Sequence, residues 1–283
     1  MKKIIFLIII LKISICQAGD FLLIDKAEKI LKIYKNNQLI ASYKVGMGLE
    51  SLLPKEKRGD FLTPEGIYKI IKIRPSKQYK YFLALNYPNL NDLSLAYYKG
   101  IFNKETFSNL LDKLRKNKIL NTSLGNGIGI HGGGAYRLEK RNSYIYKNYN
   151  WTKGCIALNN KDLLKLLNQI YIKEKVIIIN SKKSLFEILK KLAYPVKIKP
   201  LEFWQGELYL KLNNFTFINF YITEYYKGIK YLTVETWYKG YLIERLKTNG
   251  LGKFKNIQKE KKLKKLLLEN LANILNPYKN LEF

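Results

Sequence analysis

Two short stretches decide how this chain folds and which chemistry it carries: IGIHGGG at residues 128–134 and WTKGCIAL at residues 151–158. The first ends an apolar run at His131 and enters a glycine-rich turn. The second places Cys155 between a glycine and another apolar run. Short apolar runs bounded by glycine are typical of buried β-strands. Cys155 lies 24 positions after His131, which is enough chain to bring two strand ends side by side.

A thiol and an imidazole brought together in this way form a nucleophile and its base. A free thiol has a pKa of about 8.5 and attacks only after it loses its proton, which a nearby imidazole can accept. Few acids lie near His131, so we expect a backbone carbonyl of the glycine turn to orient it. The N–H groups of Gly154 and Cys155 are candidates to hold an oxyanion. The alternatives are a Cys155 that only fills space and a His131 that only belongs to a turn.

Composition excludes several other kinds of site. The chain has 283 residues with one His and two Cys, so it has neither a His/Cys zinc cluster nor a disulfide framework. We therefore expect no metal ion and no cofactor. Lys and Arg total 51 against 22 Asp and Glu, a formal net charge of +29. This excess favours an anionic partner, which is nucleic acid, anionic lipid or an acidic polymer. No nucleic-acid-binding motif is recognised, so we expect no nucleic-acid partner.

The N-terminus has the pattern of an export signal. A positive start precedes an unbroken apolar run over residues 4–11, and small residues, including Cys16, lie before Gly19. The run is shorter than the ~20 apolar residues that a membrane span needs. We expect residues 1–18 to be a signal peptide and the protein to be exported to the periplasm or cell envelope. An uncleaved anchor is the alternative. Cleavage leaves Cys155 as the one cysteine.

The first of two predicted modules covers residues 19–182. Short strands are predicted over residues 20–48 and 67–73, where apolar residues alternate with polar ones. Apolar residues at helical spacing predict short helices over residues 103–118 and 160–170.

Residues 183–200 are predicted as a helix and a linker, and residues 201–283 as a smaller α+β module. Aromatic-rich strands joined by Lys-Gly turns begin this module, and a basic helix follows. The aromatic residues either form ordinary sheet core or stack on sugar rings. The basic helix either packs its leucine stripe on the sheet or lies on anionic lipid. Peripheral contact with an anionic membrane surface is thus among the interactions that the sequence suggests.

The stretches around His131 and Cys155 resemble the signature of the L,D-transpeptidase (YkuD-type) catalytic domain, in its murein-acting branch with a Trp-Thr-x-Gly-Cys-Ile-Ala motif. The resemblance extends to RGDFLTPEG at residues 58–66 and covers about residues 20–180. It implies a mainly β fold with short helices, in which the catalytic domain is a β-sandwich or barrel. The chain adds the smaller α+β C-terminal module to this domain.

The same resemblance implies a role for each matching residue. Cys155 is the implied nucleophile, which forms an acyl-enzyme, and His131 is the base, oriented by the Gly132 carbonyl. The amides of Gly154 and Cys155 are the implied oxyanion hole. Substrate contacts are expected from five residues: Lys153, Arg137, Arg141, Gly133 and Trp151.

Two positions depart from the pattern of the family. Many members have His before the Gly-Cys pair and Arg two residues after the Cys, where this chain has Lys153 and Ala157. Lys153 keeps a positive charge near a thiolate or a substrate carboxylate, and the alternative is a solvated surface side chain. Arg137 and Arg141 are candidates to replace the missing Arg. We expect the long loop that carries them to form part of a lid or cleft wall.

The resemblance implies peptidoglycan as the partner and its stem peptides as the substrate. Cys155 attacks the carbonyl of an L-centre and expels a D-amino acid, while His131 protonates the leaving amine. An amine acceptor then gives a cross-link or an attached protein, and water gives a trimmed peptide. An L,D-transpeptidase and an L,D-carboxypeptidase both fit this scheme. The alternative of another class is a catalytically silent peptidoglycan-binding protein.

Overall fold

The computed structural model describes residues 19–118 and 120–275. The expected signal peptide, residues 1–18, lies outside the described residues. The strands of the first module are β1 (Phe21–Asp25), β2 (Ile30–Lys35), β3 (Gln38–Lys44), β4 (Gly66–Ser76), β5 (Lys80–Leu85), β6 (Gly129–His131), β7 (Arg137–Arg141), β8 (Tyr144–Asn148), β9 (Ile156–Ala157) and β10 (Lys175–Ile179). Its helices are α1 (Leu90–Tyr98), α2 (Lys104–Arg115) and α3 (Asn160–Leu167).

One eight-stranded sheet forms the body of this module, in the order β3-β2-β1-β10-β4-β5-β6-β9. The pairs β1–β10 and β6–β9 run parallel. The two ends of the sheet meet, because Gly46, just after β3, exchanges two backbone hydrogen bonds of 2.8 Å with Ala157 of β9. The module is therefore a closed β-barrel, and closure fixes the position of the short strand that follows Cys155.

The central strands of the barrel are buried on both faces, which explains why their sequences are almost continuously apolar. On β1, Leu22 and Ile24 join the main core, to which α1, α2 and α3 also contribute. Phe21 and Leu23 point the other way and join a second core, together with residues of the C-terminal module. The barrel and the C-terminal module thus share the second core.

Helix α1 is not predicted from the sequence. It begins with a capping box, in which the Asn89 side chain accepts the Asp92 N–H at 3.1 Å and Asp92 accepts the Asn89 N–H at 2.9 Å. Leu93 of this helix packs in the main core, whereas Tyr98 packs in the second core. Because the helix is buried on two sides, its sequence lacks the single apolar stripe by which a surface helix is recognised.

The C-terminal module consists of α4 (Leu185–Leu192), β11 (Tyr194–Lys199), β12 (Phe203–Lys211), β13 (Thr216–Tyr225), β14 (Lys230–Tyr238), β15 (Tyr241–Lys247), α5 (Ile257–Glu269) and β16 (Ile274–Leu275). Its sheet has the order β11-β12-β13-β14-β15, and β16 also pairs with β12. The linker predicted within residues 183–200 is wrong, because residues 194–199 form β11 and pair with β12. Pro195 fits there because β11 is an edge strand, where a missing N–H is tolerated.

The basic helix α5 packs its leucine stripe inward. Leu267 is buried in the second core, and Leu263 and Leu266 pack against that core. The ammonium of Lys264 donates to the Lys183 carbonyl at 2.6 Å, which ties α5 to the start of α4. This arrangement agrees with the first of the two alternatives for this helix, a stripe packed on the module itself.

Aromatic residues of the C-terminal sheet divide between its two faces. Trp204 and Phe220 are fully buried in the second core. Phe217 and Tyr221, at alternating positions on β13, lie on the other face and are half-buried, and Trp237 is the cross-strand neighbour of Phe217. Ordinary core packing explains the first set, and sugar stacking stays a prediction for the second.

A buried ion cluster joins the barrel to α4. Glu65 accepts from the Lys26 ammonium at 2.8 Å and from the Lys183 ammonium at 2.9 Å. The exposed fractions of the Lys26, Glu65 and Lys183 side chains are 7%, 2% and 7%. Burial lowers the pKa of Lys26, and the charge of Glu65 opposes that shift. The cluster holds together the end of β1, the turn before β4 and the segment that leads into α4.

The predicted fold class is confirmed: the chain is mainly β with short helices, and a smaller α+β module follows the barrel. Within residues 19–118 and 120–275, no helix has the length and apolar character needed to cross a membrane.

Candidate active site

Strand pairing brings Cys155 and His131 to one face of the sheet. Strands β6 and β9 run parallel, with Ile130 beside Ile156. Extending this register by one residue sets Cys155 beside Gly129, and Gly129 shares a face with His131 because alternate residues of a strand do so. Cys155 is therefore the diagonal neighbour of His131, a distance that an imidazole can span. The two residues that the sequence singled out are brought together.

The His131 imidazole is held in one orientation. Its Nδ1 lies 2.6 Å from the Gly132 carbonyl oxygen, as the resemblance implies. A carbonyl only accepts, so Nδ1 carries the proton and Nε2 keeps its lone pair. The rings of Tyr79, Phe82 and Trp151 surround the imidazole, with centroids 4.2, 6.3 and 6.0 Å away.

The environment keeps this imidazole neutral. Burial lowers the pKa of His131 below its ordinary value of 6.5, the Gly132 carbonyl opposes that shift, and the charge of Arg137 adds to it. His131 is 3% exposed, so the solvation that stabilises an imidazolium is absent. At neutral pH the side chain is ready to accept a proton at Nε2.

Cys155 is a free, half-buried thiol. Its Sγ donates to the Gly127 carbonyl oxygen at 3.6 Å. Burial raises the pKa of Cys155 above the ordinary value of a thiol, while a hydrogen bond from the Gly129 backbone and the charge of Lys55 lower it. The thiol is protonated at neutral pH. The pair therefore consists of a neutral thiol and a neutral base that must remove its proton, not a preformed ion pair.

The Gly154 half of the expected oxyanion hole is occupied in this structure. The Gly154 N–H donates to the Thr152 hydroxyl at 3.2 Å, and that hydroxyl donates to the Cys155 carbonyl at 2.6 Å. Gly154 has φ +109°, and a Cβ there would lie 2.6 Å from the Leu62 carbonyl oxygen. Gly154 is therefore required by the shape of the turn. The Cys155 N–H makes no hydrogen bond to any described residue and is the free donor.

The glycine loop after His131 is pinned through its backbone. Its N–H groups donate as follows: Gly132 to the Tyr79 carbonyl at 3.0 Å, Gly133 to Asn160 Oδ1 at 2.9 Å, Gly134 to the Leu158 carbonyl at 2.9 Å and Ala135 to Asn159 Oδ1 at 3.1 Å. A Cβ on Gly132 would lie 2.4 Å from Asn160 Oδ1. The loop is rigid because each N–H has an acceptor, and the glycines allow the close approach.

The other residues predicted to contact substrate differ in how close they lie to His131 and Cys155. Trp151 contacts His131 edge-on, and the Arg137 guanidinium lies 3.5 Å above the Trp151 ring. Both backbone groups of Gly133 are already bonded within the protein. Lys153 is exposed, with its ammonium 5.9 Å from the Phe61 ring centre. Arg141 lies at the far, exposed end of β7 and is not brought to the thiol.

Several site residues are missed by the sequence analysis. The Lys55 side chain, 5% exposed, makes an ion pair of 2.6 Å with Asp60 and places its charge near Cys155, a role that the sequence assigns to Lys153. Asn159 and Asn160 pin the glycine loop. They directly follow the WTKGCIAL stretch, and this position is a signal that could have identified them. No comparable signal marks Lys55, which reaches the site only through the fold.

The described part of the chain contains no group of three or more His, Cys, Asp or Glu residues placed to hold a metal ion.

The sequence model of the L,D-transpeptidase catalytic domain (YkuD) matches residues 19–178. The putative L,D-transpeptidase YafK of Escherichia coli strain K12 is 31% identical over 83 residues, which are 27% of this chain and 34% of that protein. The chain thus matches about a third of the length of this curated relative.

Similar proteins of known structure have lower sequence identity to this chain. An L,D-transpeptidase from Xylanimonas cellulosilytica is 15% identical with a TM-score of 0.32, over 57% of this chain and 60% of that one. An L,D-transpeptidase from Enterococcus faecium is 11% identical with a TM-score of 0.34, over 57% of this chain and 50% of that one.

Proposed function

This chain belongs to the L,D-transpeptidase catalytic-domain family, and from that premise we propose that it is an exported cysteine acyltransferase acting on peptidoglycan stem peptides at an L,D bond. The observation that carries the proposal is the β6–β9 register, in which Ile130 pairs with Ile156 and Cys155 becomes the diagonal neighbour of His131. A lone cysteine beside an oriented, neutral imidazole is the arrangement that thiol acyl transfer needs.

In the acylation step, Nε2 of His131 takes the thiol proton while Sγ of Cys155 attacks the carbonyl of an L-centre in the stem peptide. The Cys155 N–H donates to the oxyanion that forms. The tetrahedral intermediate then collapses and the carbon–nitrogen bond breaks. His131 gives its proton to the leaving amine, and a D-amino acid departs. The Gly132 carbonyl stabilises the imidazolium during this step, because it bonds Nδ1–H at 2.6 Å.

In the second step, Nε2 of His131 takes a proton from the acceptor, which attacks the thioester carbonyl. The carbon–sulfur bond then breaks, and His131 returns the proton to Sγ of Cys155. An amine acceptor makes the protein an L,D-transpeptidase that cross-links or remodels the wall. Water makes it an L,D-carboxypeptidase, which is the alternative. Access to the acyl-enzyme decides between these acceptors, and the β7–β8 hairpin is one of the elements that can control it.

Peptidoglycan lies in the cell envelope, which supports the proposed export and envelope location. The N-terminal sequence pattern supports the same proposal. We infer that the β7–β8 hairpin provides peripheral contact with an anionic membrane surface. On one face of the hairpin, Leu138 pairs with Lys147, and Ile145 pairs with Lys140. The two apolar side chains are 66% and 70% exposed, and the two lysines beside them supply the positive charge that anionic lipid attracts.

Co-sedimentation with vesicles tests this contact. We expect more protein to pellet with phosphatidylglycerol vesicles than with phosphatidylcholine vesicles, and Ile145→Ser to reduce the difference. Equal pelleting by the two vesicle types would exclude the anionic surface as a partner.

Incubation of the purified protein with defined tetrapeptide muropeptides, followed by mass spectrometry, tests the enzymatic proposal. A cross-linked dimer identifies a transpeptidase, and loss of the terminal D-amino acid identifies a carboxypeptidase. Cys155→Ala should abolish both products. It should keep the wild-type melting temperature, because hydrogen bonds of a thiol are weak, both the one to the Gly127 carbonyl and the one from the Gly129 backbone. Unchanged muropeptides that nevertheless bind the wild-type protein would favour the catalytically silent peptidoglycan-binding alternative.

A further inference from the structure

Arg137 makes contacts that a substrate-binding residue does not need. It is the first residue of β7, at the base of the hairpin inserted between His131 and Cys155. Its Nη1 donates to the Gly133 carbonyl at 2.6 Å and to the Tyr136 carbonyl at 3.2 Å. Its Cζ lies 3.5 Å above the Trp151 ring. The guanidinium is therefore directed into the protein.

The Gly133 carbonyl belongs to the loop that orients the catalytic base. The peptide group between Gly132 and Gly133 supplies the carbonyl bonded to His131 Nδ1, and its N–H is bonded to Asn160. The next peptide group supplies the carbonyl that Arg137 holds. This peptide group is also held at its other end, where the Gly134 N–H donates to the Leu158 carbonyl at 2.9 Å. Glycines have wide conformational freedom, so the bond from Arg137 adds a second constraint on the direction of the Gly133 carbonyl.

The second contact of Arg137 is with Trp151, which lies beside the imidazole. The Trp151 ring that it covers lies edge-on to His131, with an angle of 76° between the planes. Stacking of a guanidinium on an indole fixes the indole and contributes attraction of its own. Arg137 therefore contacts both the loop on the Nδ1 side of the base and the ring beside it.

We propose that Arg137 is a positioning residue that locks the Gly132–Gly134 loop and Trp151, so that the Gly132 carbonyl holds Nδ1–H of His131 and Nε2 is left free for the thiol. The β7–β8 hairpin, which lies between His131 and Cys155 in the sequence, then helps to orient the His131 imidazole. The catalytic meaning of this positioning rests on the proposed function, but the positioning itself is measurable without any turnover.

The charges around His131 support the same role. Arg137 is the charged side chain whose effect lowers the pKa of His131, in addition to burial. The other side chains that face the imidazole are Tyr79, which is titratable, and the uncharged Phe82 and Trp151. The Cys155 thiol lies diagonally across the sheet and is neutral at neutral pH. Replacing Arg137 with a neutral residue therefore removes one positive charge from the surroundings of His131 and adds no other charge there.

The chain has one histidine, so imidazole NMR of the full protein, purified with a histidine-free tag, reports on His131 alone. We expect wild-type protein to show the Nδ1–H tautomer and a pKa below 6.5. Arg137→Gln should raise that pKa toward 6.5 and mix the tautomers. Arg137→Lys keeps the charge, so it should keep the low pKa but lose tautomer purity. Lys140→Gln, on the same strand, removes an equal charge from an exposed position and should match wild type.

Kinetics with muropeptides add a second measurement. Positioning predicts that Arg137→Gln lowers kcat at least tenfold, with KM nearly unchanged. A wild-type tautomer and pKa in a folded Arg137→Gln protein would overturn the proposal, as would a rise in KM alone. If that variant does not fold, the tautomer of Arg137→Lys decides. If wild-type protein shows no turnover, the proposed function fails while the NMR result still decides the role of Arg137.

Discussion

Ile130 and Ile156 are neighbours in a parallel strand pair, and this relationship determines where Cys155 lies. Strand β9 has only two residues, so its pairing with β6 alone is a weak constraint. The opposite edge of β9 is held by Gly46, which exchanges two hydrogen bonds with Ala157. The position of Cys155 therefore depends on closure of the barrel at Gly46 as well as on β6.

Gly46→Ala should disturb both the fold and the site. A Cβ at this position would lie 2.5 Å from Trp151 Nε1 and 2.6 Å from the Ala135 carbonyl oxygen. Overpacking of this kind costs about 1–3 kcal/mol of unfolding free energy, and shifts of the nearby backbone should also lower turnover. Urea denaturation and muropeptide turnover measure the two effects. Gly250→Ala is the control, because its Cβ meets nothing closer than 3.5 Å, and wild-type behaviour of Gly46→Ala would show that β9 does not need the closure.

The dependence of kcat/KM on pH follows from the shifts of the two reacting groups. The active form has a neutral imidazole and a protonated thiol. Because burial lowers the pKa of His131, the base stays neutral as the pH falls below 6.5, and the acid limb should lie below that value. Because burial raises the pKa of Cys155, the alkaline limb should lie above 9.0. Profiles of kcat/KM from pH 4 to 10 test both limbs, and an acid limb above 6.5 would contradict the neutral-base mechanism.

Lys55→Met should make the Cys155 thiol harder to ionise. The buried ammonium of Lys55 favours the thiolate, and its removal raises the pKa of Cys155 further. A charge effect of about 1 kcal/mol changes the thiolate fraction about fivefold, so iodoacetamide should alkylate the variant about five times more slowly at pH 8. Mass spectrometry of the Cys155 peptide measures the rate. Lys57→Met, an exposed residue of the same loop, is the control, and equal rates in the two variants would remove Lys55 from the electrostatics of the site.

His131 and Cys155 could be singled out from sequence as a candidate pair because the information that marks them is local. His131 and Cys155 each lie beside glycines, and both residue types are almost absent elsewhere in the chain. The role of Lys55 could not be predicted, because it reaches Cys155 only after the barrel folds. The Gly154 amide was expected to be free, yet the hydroxyl of Thr152 two residues earlier accepts its hydrogen bond. Local hydroxyl–backbone bonds of this kind compete with other roles of the amide, and sequence alone does not rank the two.

The elements that join the two modules were the least predictable, for a related physical reason. Strand β11 was expected in a linker because it contains a proline, although Pro195 is compatible with an edge position. Helix α1 is buried on both sides, which removes the periodic pattern. In both cases the structure depends on what packs against the segment, and the partner surface lies in another part of the sequence.

Glu65→Gln should lower the free energy of unfolding far more than a substitution that breaks an exposed ion pair. The side chain is 2% exposed and compensates two lysines, Lys26 and Lys183, that are 7% exposed each. Removing this carboxylate breaks both buried ion pairs and leaves the two ammonium groups with only the weaker attraction of Asp60 and Glu187. Breaking a buried pair costs about 3–5 kcal/mol. Glu202→Gln breaks the exposed pair with Lys199, whose side chain is 51% exposed, and should cost less than about 1 kcal/mol. Urea denaturation of both variants measures the difference. Equal midpoints for the two would mean that water reaches the Glu65 cluster, and that the apolar second core alone holds the barrel to the C-terminal module.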